Sequence, residues 1–181
     1  MAVFRRRETP PGPFKHYSAY RPFVREDFSE CCAYCLLHEF LAAGQENFEL
    51  DHFRPRSLAR FVSLADDFYN LYYACRPCNH AKGSTWPAPS LEADGYGFVD
   101  LCAETFSAHF QERADGSWQP LSRRAEYTLA RLRLNRTHLV KIRRYLREIA
   151  IEKGLGPPDW DTPMREQSRR LLGDRVDSEE Q

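Results

Sequence analysis

Two cysteine pairs, Cys32-Ala-Tyr-Cys35 and Cys75-Arg-Pro-Cys78, stand 39 residues apart in a chain of 181. Each pair can present two thiolates from one tight turn, and two such turns supply the closed tetrahedral set that zinc prefers, with bonds of about 2.3 Å. Cys31 leaves an alternative open, because Cys31 with Cys35 would also chelate; Cys32 is preferred since its spacing matches that of the second pair. A redox use of CxxC competes, but two copies flanking a pair of strands, without a thioredoxin-like pattern, argue against it. Cys102 reads as a small buried hydrophobe. Between the pairs lie Asp51 and His52. An imidazole with an ordinary pKa near ~6.5 takes up a proton close to neutral pH, which makes His52 a candidate general base. The neighbouring carboxylate points to the other side of an extended backbone and offers a hard oxygen to a divalent cation. Asn79, just after the second pair, would offer another oxygen. The bland alternative is two polar residues at the mouth of a loop.

The elements that must position these groups are short. "FEL" (48–50) reads as a strand leading into Asp51, residues 53–69 as a loop, and "NLYYAC" (70–75) as a second, aromatic-rich strand. A short helix follows the second cysteine pair and is closed by Gly83. "GYGFVD" is a possible further strand and "RADGSW" a turn. Leu129, Leu132, Leu139, Ile142, Leu146 and Ile149 recur at helical intervals, which predicts two amphipathic helices with Asn135 or Thr137 as the N-cap between them. The expected organisation is an extended basic N-terminal arm at 1–27, a cysteine-bearing domain at 28–120, a helical region at 121–172 and a flexible acidic tail at 173–181.

Hydrophobic residues make up 42% and charges 29%, a globular balance that excludes a disordered or fibrous chain. No apolar run approaches the ~20 residues that a bilayer requires, and the opening residues lack the apolar segment of a signal peptide, so the expected location is cytoplasmic, with no membrane partner. In that reducing compartment the cysteines are read as metal ligands before disulfides. The net charge of zero hides a pattern. Residues 1–25 carry +5, residues 26–120 carry −9, residues 121–153 carry +7 and residues 154–181 carry −3. An acidic middle attracts cations and basic flanks attract polyanions, which suits a metal-assisted reaction on nucleic acid, although basic helices are often only solvated faces.

Taken in order, Cys32-x-Tyr34-Cys35, "LDHFRP" (50–55), "NL" (70–71) and "CRPCNHAKG" (75–83) resemble the zinc-knuckle branch of the HNH endonucleases, over roughly residues 30–85. The resemblance implies an α+β fold built on a ββα-metal (His-Me finger) core with a four-cysteine zinc knuckle. It implies a metal-dependent endonuclease that hydrolyses phosphodiester bonds in DNA, leaving a 5′-phosphate and a 3′-hydroxyl. Structural Zn2+ and catalytic Mg2+ or Mn2+ are the implied cofactors. In these terms His52 activates water, Asp51 and Asn79 hold one divalent ion, and Asn70 ties the long loop so that the base stays oriented. His80 is a lesser candidate ligand, and Arg54, Arg56 and Lys82 are candidates to grip phosphate. A looser resemblance, in "GFVDLCAETFSAHF", the Asp115-Gly116 turn and "YTLARLRLNRTHLVKIRRYLRE", is to HNH proteins paired with ATPases in bacterial antiphage and retron systems. It implies an ATPase partner and a defence role, with His109 as an extra functional candidate beside a structural reading of the same residue. A non-catalytic zinc-knuckle module that binds nucleic acid or a protein is the rival.

Overall fold

The computed structural model describes residues 2–172; the tail expected at 173–181 lies outside the described residues. At its centre, strands β1 (Phe48–His52) and β2 (Leu71–Cys75) pair antiparallel, and helix α2 (Arg76–Lys82) follows β2 without a break and packs on both strands. The register sets Leu50 opposite Tyr73, Asp51 opposite Tyr72 and His52 opposite Leu71. All five residues of β2 are buried, whereas β1 buries only Phe48 and Asp51, so β1 is the strand that meets the surface. Pro77 lies in the first turn of α2, where its missing N–H costs nothing, and Gly83 ends the helix at φ +52°, a left-handed conformation that side chains disfavour. The expected loop at 53–69 is folded into two short 3-10 turns, Ala59–Leu64 and Phe68–Asn70.

The N-terminal segment differs from the free arm expected at 1–27. Residues 8–16 are mostly exposed and form no helix or strand, but both ends are docked. Val3 and Phe4 are buried, and the Phe4 amide donates to the Leu101 carbonyl at 3.0 Å. Arg6 reaches the carbonyls of Leu71 and Phe68 at 3.0 and 2.8 Å and pairs with Asp27 at 3.1 Å, its guanidinium lying against the rings of Phe28 and Phe68. A 3-10 turn at Tyr17–Tyr20 then leads into helix α1 (Arg21–Asp27), whose Val24 is fully buried. Apolar side chains and arginine stems hold down what charge alone suggests would be loose.

Beyond α2 come a short helix α3 (Pro89–Ala93), a hairpin of β3 (Phe110–Glu112) and β4 (Trp118–Pro120), and three helices, α4 (Arg123–Arg131), α5 (Thr137–Glu152) and α6 (Met164–Leu172). "GYGFVD" forms no strand, because its backbone groups are taken by α4: Val99 donates to the Thr128 hydroxyl at 2.8 Å, and Arg124 donates to the Phe98 carbonyl. The hairpin turn needs Gly116, at φ +84°, since a Cβ there would lie 2.6 Å from the Val140 carbonyl oxygen. The apolar period of α4 and α5 faces inward as expected, with Leu132, Leu139 and Leu146 buried. Arg136 is the N-cap residue of α5, without a side-chain cap; Asn135 instead accepts from the Trp118 amide and donates to the Trp118 carbonyl, both at 2.8 Å, tying the helix junction to β4. Among the described residues one continuous core runs through these elements. No described helix is long and apolar enough to cross a membrane.

Candidate active site and metal centre

Cys32, Cys35, Cys75 and Cys78 are buried, and their sulfurs all lie within 4.8 Å of one another. The Cys35 and Cys75 sulfurs are 3.8 Å apart. A tetrahedron with zinc–sulfur bonds of about 2.3 Å has edges of about 3.8 Å, so this donor set fits zinc. Cys31 takes no part: its thiol donates to the Ser29 carbonyl at 3.2 Å, and burial pushes its pKa well up. The first pair sits in a turn closed by Cys32 N–H to Leu37 carbonyl (2.9 Å) and bound to β2 by Ala33 N–H to Tyr73 carbonyl (2.8 Å). Arg136 donates to the Cys78 sulfur at 3.4 Å, placing a cation beside a four-thiolate set that would carry net negative charge with zinc bound. Buried Arg143 lies 4.1 Å over the Trp118 ring, and burial lowers its pKa to about 10.

The cysteine cluster holds the end of the hairpin where Phe48 pairs with Cys75, and three groups of side chains are set by that hairpin. The first is His52. Its Nε2 donates to the Ala65 carbonyl at 2.8 Å, and its ring lies 4.8 Å edge-on from Tyr17. A carbonyl can only accept, so Nε2 carries a proton, and in the neutral ring Nδ1 then keeps its lone pair. Burial lowers the His52 pKa, and nearby Arg56 and Lys82 lower it further. The second group is Asn70, which is buried. Its carbonyl accepts from the Arg54 amide at 2.8 Å, and its NH2 donates to the Arg54 and Leu64 carbonyls at 3.0 and 3.1 Å. Asn70 thus joins both ends of the loop that carries Ala65, the carbonyl that orients His52.

The third group is the layer between β1 and α2. Glu49 and Asp51 are two residues apart in a strand and share the face toward α2, where Asn79 and Lys82 are three apart. They form two rungs. Lys82 donates to Asp51 at 2.9 and 3.0 Å and to the His52 carbonyl at 2.8 Å, and the Tyr34 hydroxyl also donates to Asp51. In the other rung the Asn79 NH2 donates to Glu49 at 2.6 Å. The expectation of Lys82 at a phosphate is corrected here: its side chain is 0% exposed, so it is an internal counter-ion. Asp51, expected at a metal, has its carboxylate closed in by Lys82 and Tyr34. Burial pushes the Asp51 carboxyl up and the Lys82 amine down, while the charge and hydrogen bonds that each offers the other act against those shifts. Freeing Asp51 for a cation would strand a buried charge at a cost of about 3–5 kcal/mol. Glu49 is paired with half-exposed Arg76 at 3.3 Å, an interaction of the kind that is worth about 0–1 kcal/mol.

Of the remaining candidates, Arg54 is exposed and its guanidinium makes no hydrogen bond or ion pair among the described residues, while Arg56 is exposed and lies 5.0 Å over the Tyr17 ring. His80 is exposed, 3.7 Å from Glu49. His109 contacts Ser122 at 2.7 Å and Glu104 at 2.6 Å, a structural brace at the start of α4. Three residues are not anticipated by the sequence reading. Glu49 could have been found from the strand period, which puts it on the same face as Asp51. Tyr34 lies inside the first cysteine pair, where nothing marks it as a partner of Asp51. Tyr17 comes from the N-terminal segment and has no local signal.

Residues 32–85 match the family model for HNH endonuclease. This segment is an HNH domain. It spans both cysteine pairs, β1, β2 and α2, so the HNH domain and the ββα unit with its cluster of four cysteines are the same part of the fold. No curated protein matches the chain. The HNH domain supports a nuclease-type function on nucleic acid, and the four cysteines a possible zinc site.

Proposed function

We propose that the chain is a metal-dependent endonuclease that hydrolyses phosphodiester bonds in DNA, with zinc held by Cys32, Cys35, Cys75 and Cys78 as a structural ion. The observation that carries this reading is the setting of His52: its Nε2–H is held on the Ala65 carbonyl, burial lowers its pKa, and Nδ1 is left to act as a base. Nδ1 accepts the proton of the attacking water, and the loop tied by Asn70 keeps the imidazole from turning away. A divalent ion, Mg2+ or Mn2+, bound where β1 faces α2 with Asn79 as one oxygen donor, would neutralise charge on the phosphoryl and leaving oxygens. Arg54 and Arg56, exposed on the loop that leaves β1, grip backbone phosphates beside the scissile one. Exposed Arg133, Lys141 and Arg144 around α5 extend the basic surface that the duplex would meet.

The test is plasmid nicking by the zinc-loaded chain in magnesium or manganese, beside His52→Ala. Nicking that is lost in the variant supports the reading. Equal cutting by both places the base elsewhere. A chain that binds DNA with a steep salt dependence and never cuts, alone or with added partners, is the non-catalytic binding module.

A further inference from the structure

We propose that the depression between the loop leaving β1 and residues 95–98 is a pocket for one unpaired nucleobase of the bound DNA strand, so that the preferred substrates carry a bulged or single-stranded nucleotide beside the cut; the inference rests on the nuclease reading above and names its substrate class. The depression is open and about 520 Å3 in volume, within the range of about 300–1,000 Å3 usual for ligand sites. Its aromatic walls come from two parts of the chain: Phe53 follows His52 directly, and Trp86, Tyr96 and Phe98 belong to the stretch after α2. Phe53 and Phe98 are buried, whereas Trp86 and Tyr96 are half-buried and keep ring surface open. Phe53 and Phe61 hold Trp86 edge-on, with ring centres 5.5 and 5.3 Å away, and its Nε1 donates to Glu92 at 2.7 Å. The plane of the indole is thus fixed before any ligand arrives.

The charges select a base, not a phosphate, for the interior. Glu92 is paired with Arg60 at 2.5 Å and Glu104 with Arg124 at 2.6 Å, while Asp100 accepts from the Tyr72 hydroxyl at 2.7 Å and the Cys102 amide at 2.9 Å. These carboxylates repel a phosphodiester, yet their remaining lone pairs can accept from the N–H groups of a base. Arg54 borders the same depression, is exposed, and its guanidinium makes no hydrogen bond or ion pair among the described residues, so it offers the place where the attached phosphate sits. It stands two residues after His52, and Asn70 holds its amide and carbonyl at 2.8 and 3.0 Å. The nucleotide that enters is therefore a near neighbour of the phosphate at His52. Gly97 is an independent sign of the same ligand. It is buried in the wall outside the left-handed region, and a Cβ there would meet only Arg124 Nε, at 3.8 Å, an ordinary contact. Neither backbone nor packing calls for glycine at 97; what a side chain would remove is space beside Arg124, another wall of the depression. A base stacked in a duplex reaches such a pocket only by extrusion, which costs least where the nucleotide is already unpaired.

The experiment uses the zinc-loaded full chain without added magnesium or manganese and two synthetic duplexes, one fully paired and one with a single bulged nucleotide. Anisotropy of labelled DNA gives affinity, and tryptophan emission reports the pocket, since Trp118 and Trp160 are 2% and 4% exposed and Trp86 is half-buried. The bulged duplex should bind about tenfold or more tightly than the paired one, the scale of one base stacked on an aromatic ring, and should alone quench Trp86. Gly97→Leu should bring the bulged duplex down to the affinity of the paired one, with zinc content and melting temperature held. Equal wild-type affinity for the two duplexes, or a preference that survives in Gly97→Leu, overturns the pocket and leaves the nuclease reading to the plasmid test. Should Gly97→Leu lose zinc or melt lower, the wild type decides: emission that answers both duplexes equally, or neither, overturns the pocket. Quenching by deoxyguanosine monophosphate alone, as strong as by bulged DNA at equal concentration, overturns the strand-bound assignment in favour of a free nucleotide. A bulge preference in a chain that never nicks supports the pocket and removes the nuclease reading instead.

Discussion

Replacing Lys82 with methionine tests whether the layer between β1 and α2 is closed as the structure shows. Methionine fills a similar space, so the main loss is the charge that faces Asp51. The lysine side chain is 0% exposed and that of Asp51 is 6% exposed, so solvent screening discounts little. Left with Tyr34 alone, the carboxyl escapes its burial by taking up a proton. For a carboxyl of ordinary pKa near ~3.9, protonation at pH 7 costs about 4 kcal/mol, at about 1.4 kcal/mol per pH unit, which sets the scale of the destabilisation beside the lost bond to the His52 carbonyl. That scale lies within the roughly 3–5 kcal/mol found when one partner of a buried pair is removed.

The same arithmetic fixes a pH dependence. Burial already pushes the Asp51 carboxyl up against the pull of Lys82, and without Lys82 its folded pKa rises further above its unfolded value. The native variant then holds a proton that the unfolded chain has lost, so its stability is intact below the unfolded pKa and falls as pH rises above it. The penalty relative to wild type should shrink by about 2.7 kcal/mol between pH 7 and pH 5, at about 1.4 kcal/mol per pH unit. Urea unfolding of both proteins followed by tryptophan fluorescence at pH 5, 6 and 7, with zinc retained, measures it. A penalty below about 1 kcal/mol at pH 7 would mean that Lys82 reaches into solvent, as a phosphate-gripping lysine would. A penalty that stays flat from pH 7 to pH 5 would equally refute the buried pair.

Cys75→Ser should cost the chain its zinc and its cooperative unfolding, whereas Cys31→Ser and Cys102→Ser should keep about one zinc per chain by metal analysis, because only the first touches the four-sulfur set. Burial and the charges of Arg56 and Lys82 lower the His52 pKa, so the acid limb of the nicking rate against pH should fall below ~6.5, and Arg56→Ala should move it upward; a limb above ~6.5 in the wild type contradicts the environment found for the base. Asn70→Ala removes a clamp whose three bonds are part-buried, which should cost about 1–3 kcal/mol in urea unfolding and lower nicking while leaving the manganese affinity unchanged; a parallel fall in that affinity would tie Asn70 to the ion instead.

What the chain's letters disclose follows the range of the interactions involved. The cysteine pairs, the two short strands and the helix closed by Gly83 are local patterns, and each lies where its residues indicate. Asn135 is a junction residue, as its neighbours suggest, but its partner differs from the expected helix end, because β4, whose Trp118 it binds, is brought to it only by the fold. The N-terminal segment departs from the expected arm for a related reason: Arg6 bonds to carbonyls 62 and 65 residues away, and nothing nearby in the chain signals that pairing. The expectation of an ATPase partner rests on a loose resemblance at scattered positions, and His109, the extra functional candidate there, is bonded within its own fold to Ser122 and Glu104.

The ranking of the two β1 carboxylates shows where sequence reasoning must stop. Alternation along a strand puts Glu49 and Asp51 on one face, and helical spacing puts Asn79 and Lys82 on another, but neither period says which rung is nearer water. That depends on where the strand runs in relation to the core, which Tyr34 and Phe98 close over the inner rung: the first donates to Asp51, and the second has its ring 5.7 Å from the Lys82 amine. With the inner rung enclosed, its lysine neutralises its aspartate and the pair becomes part of the scaffold. The outer rung keeps an amide oxygen and a carboxylate at the surface, one turn of α2 away from the same lysine. Depth below the surface, which neither period carries, thus separates a carboxylate that belongs to the scaffold from one that stays open to solvent.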